Sequence, residues 1–179
     1  FLSNPPDGFQ TPKLYSHGEK EFESWIVTER LKGQLLLDVI TREESYDGKQ
    51  IVHEIMDQLV QLEQHGLYHD DVRVWNVWLK DDGHAQILDF GSISSESDDC
   101  VWPHNIFMSF LVFIKEVMSG KVDLPEIRQK SISPAGMPSD FKEATYKLWK
   151  TPTNSWSFKL FSECIQSSTN GISQSQDPN

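Results

Sequence analysis

The chain has 179 residues, room for one ordinary domain or a large piece of a two-lobed one, and too little for two unrelated domains. Lys and Arg number 16 against 27 Asp and Glu, a net charge of −11, so a general nucleic-acid-binding or anionic-membrane surface is not expected. Hydrophobic residues make up 37%, which excludes a disordered body, while two cysteines, Cys100 and Cys164, give neither a disulfide framework nor a metal cluster and fit a reducing cytoplasm. The opening stretch 1–11, with Pro5, Pro6 and Gly8, reads as loop. Strands are expected over 13–16 and 24–29, joined by the polar turn His17-Gly18-Glu19-Lys20. Leu35, Leu36, Val39 and Ile40 then recur at helical spacing, and Ile51, Ile55, Leu59 and Leu62 continue a longer helix to a stop at Gly66. Val77-Trp78-Leu79 and Gln86-Ile87-Leu88 flank the Asp81-Asp82-Gly83 turn and predict a short hairpin. The stretch 92–99 is flexible in composition. The most apolar helix is predicted over 106–118; Lys115 and Glu116 end its apolar run at about half the length of a membrane span, so no transmembrane segment is expected. Weaker helices follow over 141–149 and 156–165, and 167–179 is a polar tail expected to be disordered.

The chemistry is concentrated between the long helix and the apolar one. His69-Asp70-Asp71-Val72-Arg73-Val74-Trp75-Asn76 is followed, across the predicted hairpin, by Asp89-Phe90-Gly91. Together they resemble the catalytic loop H-R-D-x-K-x-x-N and the D-F-G metal motif of the protein kinases, with the family's spacing between them. Matches at such fixed offsets arise by chance with a probability on the order of 10⁻⁶ or less. The resemblance implies an α+β, protein-kinase-like fold: mainly the helical C-lobe, with the hinge and the last strands of the N-lobe. Its boundaries would be 1–31 for residual N-lobe strands and hinge, 32–166 for the C-lobe and 167–179 for the tail.

By the same resemblance Asp71 is the carboxylate that orients and deprotonates the attacking hydroxyl, and Arg73, where the family has lysine, neutralises the transferring phosphoryl group. Asn76 and Asp89 are the implied Mg²⁺ ligands, an amide oxygen and a carboxylate that suit a hard cation. Val27 to Gly33 resembles the hinge that binds the adenine edge of ATP. There Thr28 is the implied gatekeeper, Glu29 offers the accepting carbonyl and Leu31 the donating amide, with Trp78 beneath the ring; a core tryptophan is the competing reading of Trp78. His69 is expected to be a packed structural residue. Asp70 replaces the arginine that would hold a phosphorylated activation loop, so that form of switching is not expected.

No A-P-E sequence lies between Gly91 and the apolar helix, which points from a peptide substrate to a small hydroxyl substrate. The wider pattern adds Ile87-Leu88-Asp89-Phe90-Gly91-Ser92-Ile93, Asp99-Cys100-Val101-Trp102-Pro103, Trp149-Lys150-Thr151-Pro152 and Trp156-Ser157-Phe158. It is similar to the kinase domain of the bacterial O-antigen chain-terminating bifunctional methyltransferase/kinases. That resemblance implies ATP- and Mg²⁺-dependent phosphorylation of a hydroxyl on the terminal sugar of a lipid-linked polysaccharide, at the cytoplasmic face of the inner membrane. Membrane association would come through regions not in this sequence, where the family has its methyltransferase and coiled coil. No glycine-rich loop, V-A-I-K-type lysine or helix with a partner glutamate precedes Lys13, so the chain is expected to need an N-lobe or partner segment and to be catalytically incomplete by itself. Two other readings stand beside this one: a pseudokinase-like binding module without activity, and a small-molecule phosphotransferase of the aminoglycoside or choline kinase kind.

Overall fold

The computed structural model describes residues 1–97, 105–122 and 137–172; the stretch Asp99 to Pro103 lies outside them. The first element is an antiparallel hairpin of β1 (Leu14–Lys20) and β2 (Glu23–Thr28), in the register Gly18↔Trp25 and Lys20↔Glu23. Its turn is Glu21-Phe22, later than the predicted His17 to Lys20 turn. Two features move it. Gly18 lies against the Trp25 indole, where a Cβ would stand 2.6 Å from a ring carbon, so residues 17–20 stay extended in the ladder. Glu21 accepts the left-handed backbone, φ 54°, that the tight turn needs.

A short strand β3 (Gln34–Leu35) runs directly into α1 (Leu36–Thr41), so Leu35, expected in the helix, pairs instead with Trp78. Gly33 before it takes φ 123°, and a Cβ there would meet the Leu79 carbonyl oxygen at 2.1 Å; only glycine lets the segment before β3 run this close to Leu79. Helix α2 (Gly48–Gln64) starts where the Asp47 side chain accepts the Gln50 N–H at 3.0 Å. Its Ile51, Val52, Ile55, Met56, Leu59 and Leu62 are buried, the stripe that the sequence periodicity predicts.

After α2 come β4 (Tyr68–His69), β5 (Val77–Leu79), β6 (Ala85–Ile87) and β7 (Ile93–Ser94). The sheets are β3-β5-β6 and the two-residue ladder β4-β7. Helix α3 (Ile106–Ser119) is capped by Asn105, whose Oδ1 accepts the Phe107 and Met108 amides. Buried almost all round, it forms the centre of the lobe. Helices α4 (Ser139–Trp149) and α5 (Phe158–Ile172) pack on one another, and α5 continues past Ser167 into the segment expected as a disordered tail. Phe107, Phe110, Phe158 and Phe161 interlock across α3 and α5, the closest pair, Phe107 and Phe158, at 4.9 Å between ring centres. Glu63 of α2 caps α5, its two carboxylate oxygens accepting the Phe158 and Lys159 amides at 2.9 and 3.0 Å, where the positive end of the helix dipole lies.

Candidate active site

Helix α2 stops at a left-handed glycine. Gly66 (φ 67°) donates to Glu63 O and Leu67 donates to Leu62 O, each at 3.0 Å, the double closure that reverses a chain after a helix. This delivers Tyr68 and His69 to β7, where they pair with Ser94 and Ile93, and the Asp70 amide extends the ladder to Ser92 O at 2.8 Å. The loop after α2 and the segment after Asp89-Phe90-Gly91 are thereby bonded to each other.

His69 is fully buried. Its Nε2–H donates to Leu88 O at 2.8 Å and its Nδ1 accepts the Asp71 amide at 3.2 Å, which fixes the neutral tautomer. Burial pushes its pKa below the ordinary value, against the pull of the Leu88 carbonyl and of the Asp71, Asp89 and Asp70 charges. The expected structural role of His69 is the one its hydrogen bonds describe.

Asp71 Oδ2 is held by two donors, Asn76 Nδ2 at 2.7 Å and Trp75 Nε1 at 3.2 Å, and Asn76 Nδ2 also donates to the Asp71 carbonyl at 2.9 Å. Both hydrogens of the Asn76 amide are therefore used, and its Oδ1 is engaged by no described residue. Asp71 Oδ1 is buried with no hydrogen-bond partner, as is Asp70 Oδ1. The loop thus holds two buried carboxylate oxygens, on Asp70 and Asp71, that can accept a further hydrogen bond.

Asp89 joins this group through the backbone, because the Leu88 amide donates to the Asn76 carbonyl at 2.8 Å. Its conformation is left-handed, φ 54° and ψ 61°, a strained choice for a residue other than glycine. Ser92 holds it, through Oγ–H to Oδ2 at 2.8 Å and N–H to the carbonyl at 3.0 Å, and leaves Oδ1 uncommitted. Phe90 stacks on Phe1, 5.7 Å apart and within 10° of parallel, with Phe9 edge-on to both. A cavity of about 560 Å³ opens there, walled by Leu2, Leu14, Trp25, Ile26, Asp89 and Phe90 among others.

The expected site residues fall into two groups and one outlier. Asp71, Asn76 and Asp89 are brought together. Thr28, Glu29 and Leu31 lie along the end of β2 and the turn after it, and Trp78 is tied to that turn by Nε1–H donation to Lys32 O at 3.0 Å. Glu29 donates its amide to Lys13 O, whereas its carbonyl accepts from no described residue and the Leu31 amide donates to none. Arg73 belongs to neither group. It is 4% exposed, its Nη1 donates to Val72 O at 3.0 Å, and its guanidinium lies 6.0 Å from the ring centre of Trp75, the residue that bonds Asp71. The sequence reading missed Trp75 and Ser92. Trp75, a donor-only side chain four positions after Asp71, is the signal that could have pointed to the first.

No protein-family model matches the chain. An Escherichia coli protein, the O-antigen chain terminator bifunctional methyltransferase/kinase WbdD, is 37% identical over 161 residues, 89% of this chain and 23% of its own length. Serine/threonine-protein kinase D of Synechocystis is 32% identical over 85 residues, 47% of this chain and 17% of that one. A low-resolution crystal structure of WbdD superposes with a TM-score of 0.85 at 35% identity, over 94% of this chain and 34% of that one. The chain thus spans about a quarter of the length of its curated E. coli relative. Sequence and backbone agree that the chain is a relative of the WbdD-type O-antigen chain terminators and carries part of a protein-kinase-like fold.

Proposed function

We propose that the chain is the hinge and large lobe of an ATP-dependent kinase that phosphorylates a hydroxyl on the terminal sugar of a lipid-linked O-antigen polysaccharide, stopping its extension. The observation that carries this reading is the Asp71 carboxylate, fixed by Asn76 and Trp75 through one oxygen and left open, buried, at the other. That oxygen accepts the proton of the attacking hydroxyl. Asn76 and Trp75 hold the carboxylate's orientation, and His69, kept neutral, holds the backbone of the loop from behind.

The remaining atoms fit a magnesium nucleotide. Asn76 Oδ1 and an Asp89 oxygen are a neutral and a charged hard ligand, which suits Mg²⁺, an ion that keeps few protein ligands and takes the rest from phosphates and water. Bound there, the ion supplies neutralisation of charge on the phosphate oxygens. The open Glu29 carbonyl and Leu31 amide would meet the adenine edge, with Thr28 and Trp78 beside it. Arg73, buried, acts in this reading as a support of the loop and not on the phosphoryl group.

The E. coli relative is named an O-antigen chain terminator, and the short connection from Gly91 to α3 suits a sugar hydroxyl better than an extended peptide. No described helix is long and apolar enough to cross a membrane; a lipid-linked acceptor would bring the enzyme to the cytoplasmic face of the inner membrane without one. The test is Asp71→Asn in the intact protein, assayed with Mg-ATP and polysaccharide acceptors. We expect kcat to fall about 10²-fold or more while nucleotide affinity holds. Turnover within about threefold of the parent would remove Asp71 from the mechanism.

A further inference from the structure

At the far end of α4, away from the loop just described in sequence, Trp149 and Trp156 stack 5.7 Å apart and within 12° of parallel. They wall a cavity of about 370 Å³ together with Asn105, Met108 and Thr153. Trp156 is 8% exposed, and its Nε1–H is shared between the Leu148 and Thr151 carbonyls, each at 3.2 Å. Its ring is therefore fixed and serves as a backing plate. Trp149, resting on it, is 45% exposed, so one flat aromatic face is held rigidly toward solvent. The cavity that Trp149 shares with these residues also offers polar groups with no described partner: the Trp149 Nε1–H, the Thr153 hydroxyl and the Asn105 side-chain NH₂. The Asn105 amide is itself oriented, since its Oδ1 is committed to the first turn of α3.

We infer that this cleft is a saccharide subsite, in which a pyranose ring of a glycan lies on Trp149. A sugar ring offers two chemistries at once, a face of C–H bonds and a rim of hydroxyls. The exposed indole suits the first, because its electron-rich face attracts polarised C–H groups, and the three polar groups suit the second. An alkyl chain or an apolar peptide side chain would pair with none of those polar groups. An anionic ligand would meet no described cation among the five wall residues, on a chain of net charge −11. A neutral polyol with an apolar face remains. The inference deepens the proposed function by adding a second, non-reacting contact to the polysaccharide, and to that extent rests on it.

Saturation-transfer NMR on the intact protein, with a set of methyl glycosides of mannose, glucose, galactose and rhamnose as probes, tests it. At least one glycoside should receive saturation on the C–H groups of one ring face. Trp149→Ala should weaken that binding about tenfold, and Trp149→Phe should restore most of it, because the aromatic face is what is removed and returned. Absence of saturation for every probe, or binding unchanged in Trp149→Ala, overturns the subsite. Phosphate transfer measured on the same samples separates this from the kinase reading. Transfer to a glycan without Trp149-dependent binding removes the subsite alone; Trp149-dependent binding without transfer removes the kinase reading and keeps the subsite.

Discussion

Protonating His69 would place a charge where burial leaves no water to receive it, and would replace the acceptor of the Asp71 amide with a second donor. Its pKa is lowered on folding from the ordinary 6.5, so the stability it contributes is fully present above that value and is lost as pH falls through the folded one. The melting temperature should therefore drop as the solution is acidified below pH 6.5, and His69→Asn, which keeps a donor for Leu88 O, should flatten the drop. His84 has the opposite sign: its hydrogen bond to Glu54 raises its pKa, giving stability present below 6.5 and lost as pH rises. It lies exposed on the surface, where solvent screens the pair, and His84→Gln should leave the acid-side drop in place. At the metal end, Asp89→Ala should abolish the Mg²⁺-dependent part of the thermal shift produced by ATP, because Asp89 carries the only full charge among the proposed ligands; an undiminished shift would place the metal elsewhere. Identities at fixed offsets make the grouping of Asp71, Asn76 and Asp89 legible in the amino-acid sequence alone. The orientation of Arg73 is not, because a spacing states which residues share a loop and leaves open which way each side chain turns.

Helix α2 is legible because burial on one face writes a period into the sequence, and α3 because burial nearly all round writes a long apolar run. The β4-β7 ladder is not, since two-residue strands have no period, although it is what ties the loop of Asp71 to the segment after Asp89. The β1-β2 turn is misplaced for a related reason: a polar run with a glycine reads as a turn, and only the Trp25 ring lying on Gly18 keeps it extended. Contacts between elements far apart in sequence are the least legible of all. Glu63 looks like a surface charge of α2, yet it completes the first turn of α5. Glu63→Ala should destabilise the fold by about 1 kcal/mol, the usual cost of losing a helix cap, and Glu63→Gln, which can satisfy one amide, should cost less. Equilibrium denaturation of the two variants checks both the size and the order.

Taken as one molecule, the chain is uneven. The lobe around α3 buries Phe110, Phe113, Phe158 and Phe161 to 0% exposure, whereas Tyr15, Trp25, Ile26 and Val27 of the hairpin are all exposed. The strongest packing of β1 and β2 is with each other. Hydrogen exchange should follow this division: amides of α2 and α3 exchange only with global unfolding, while those of β1 and β2 exchange orders of magnitude faster through local opening. Uniform protection across the chain would show that the hairpin is held as firmly as the lobe. The clasp between Glu63 and the start of α5 spans 95 residues, and it bears on how the molecule is made. Synthesis runs from the amino end, so the loop carrying Asp71 leaves the ribosome well before Phe158 and Phe161 exist to cover Phe107 and Phe110. For that interval the Phe107 and Phe110 side of α3 has no floor and is open to whatever is nearby. The nascent chain is thus most in need of a chaperone while the stretch between α3 and α5 is being translated, after Asp71, Asn76 and Asp89 have already been written.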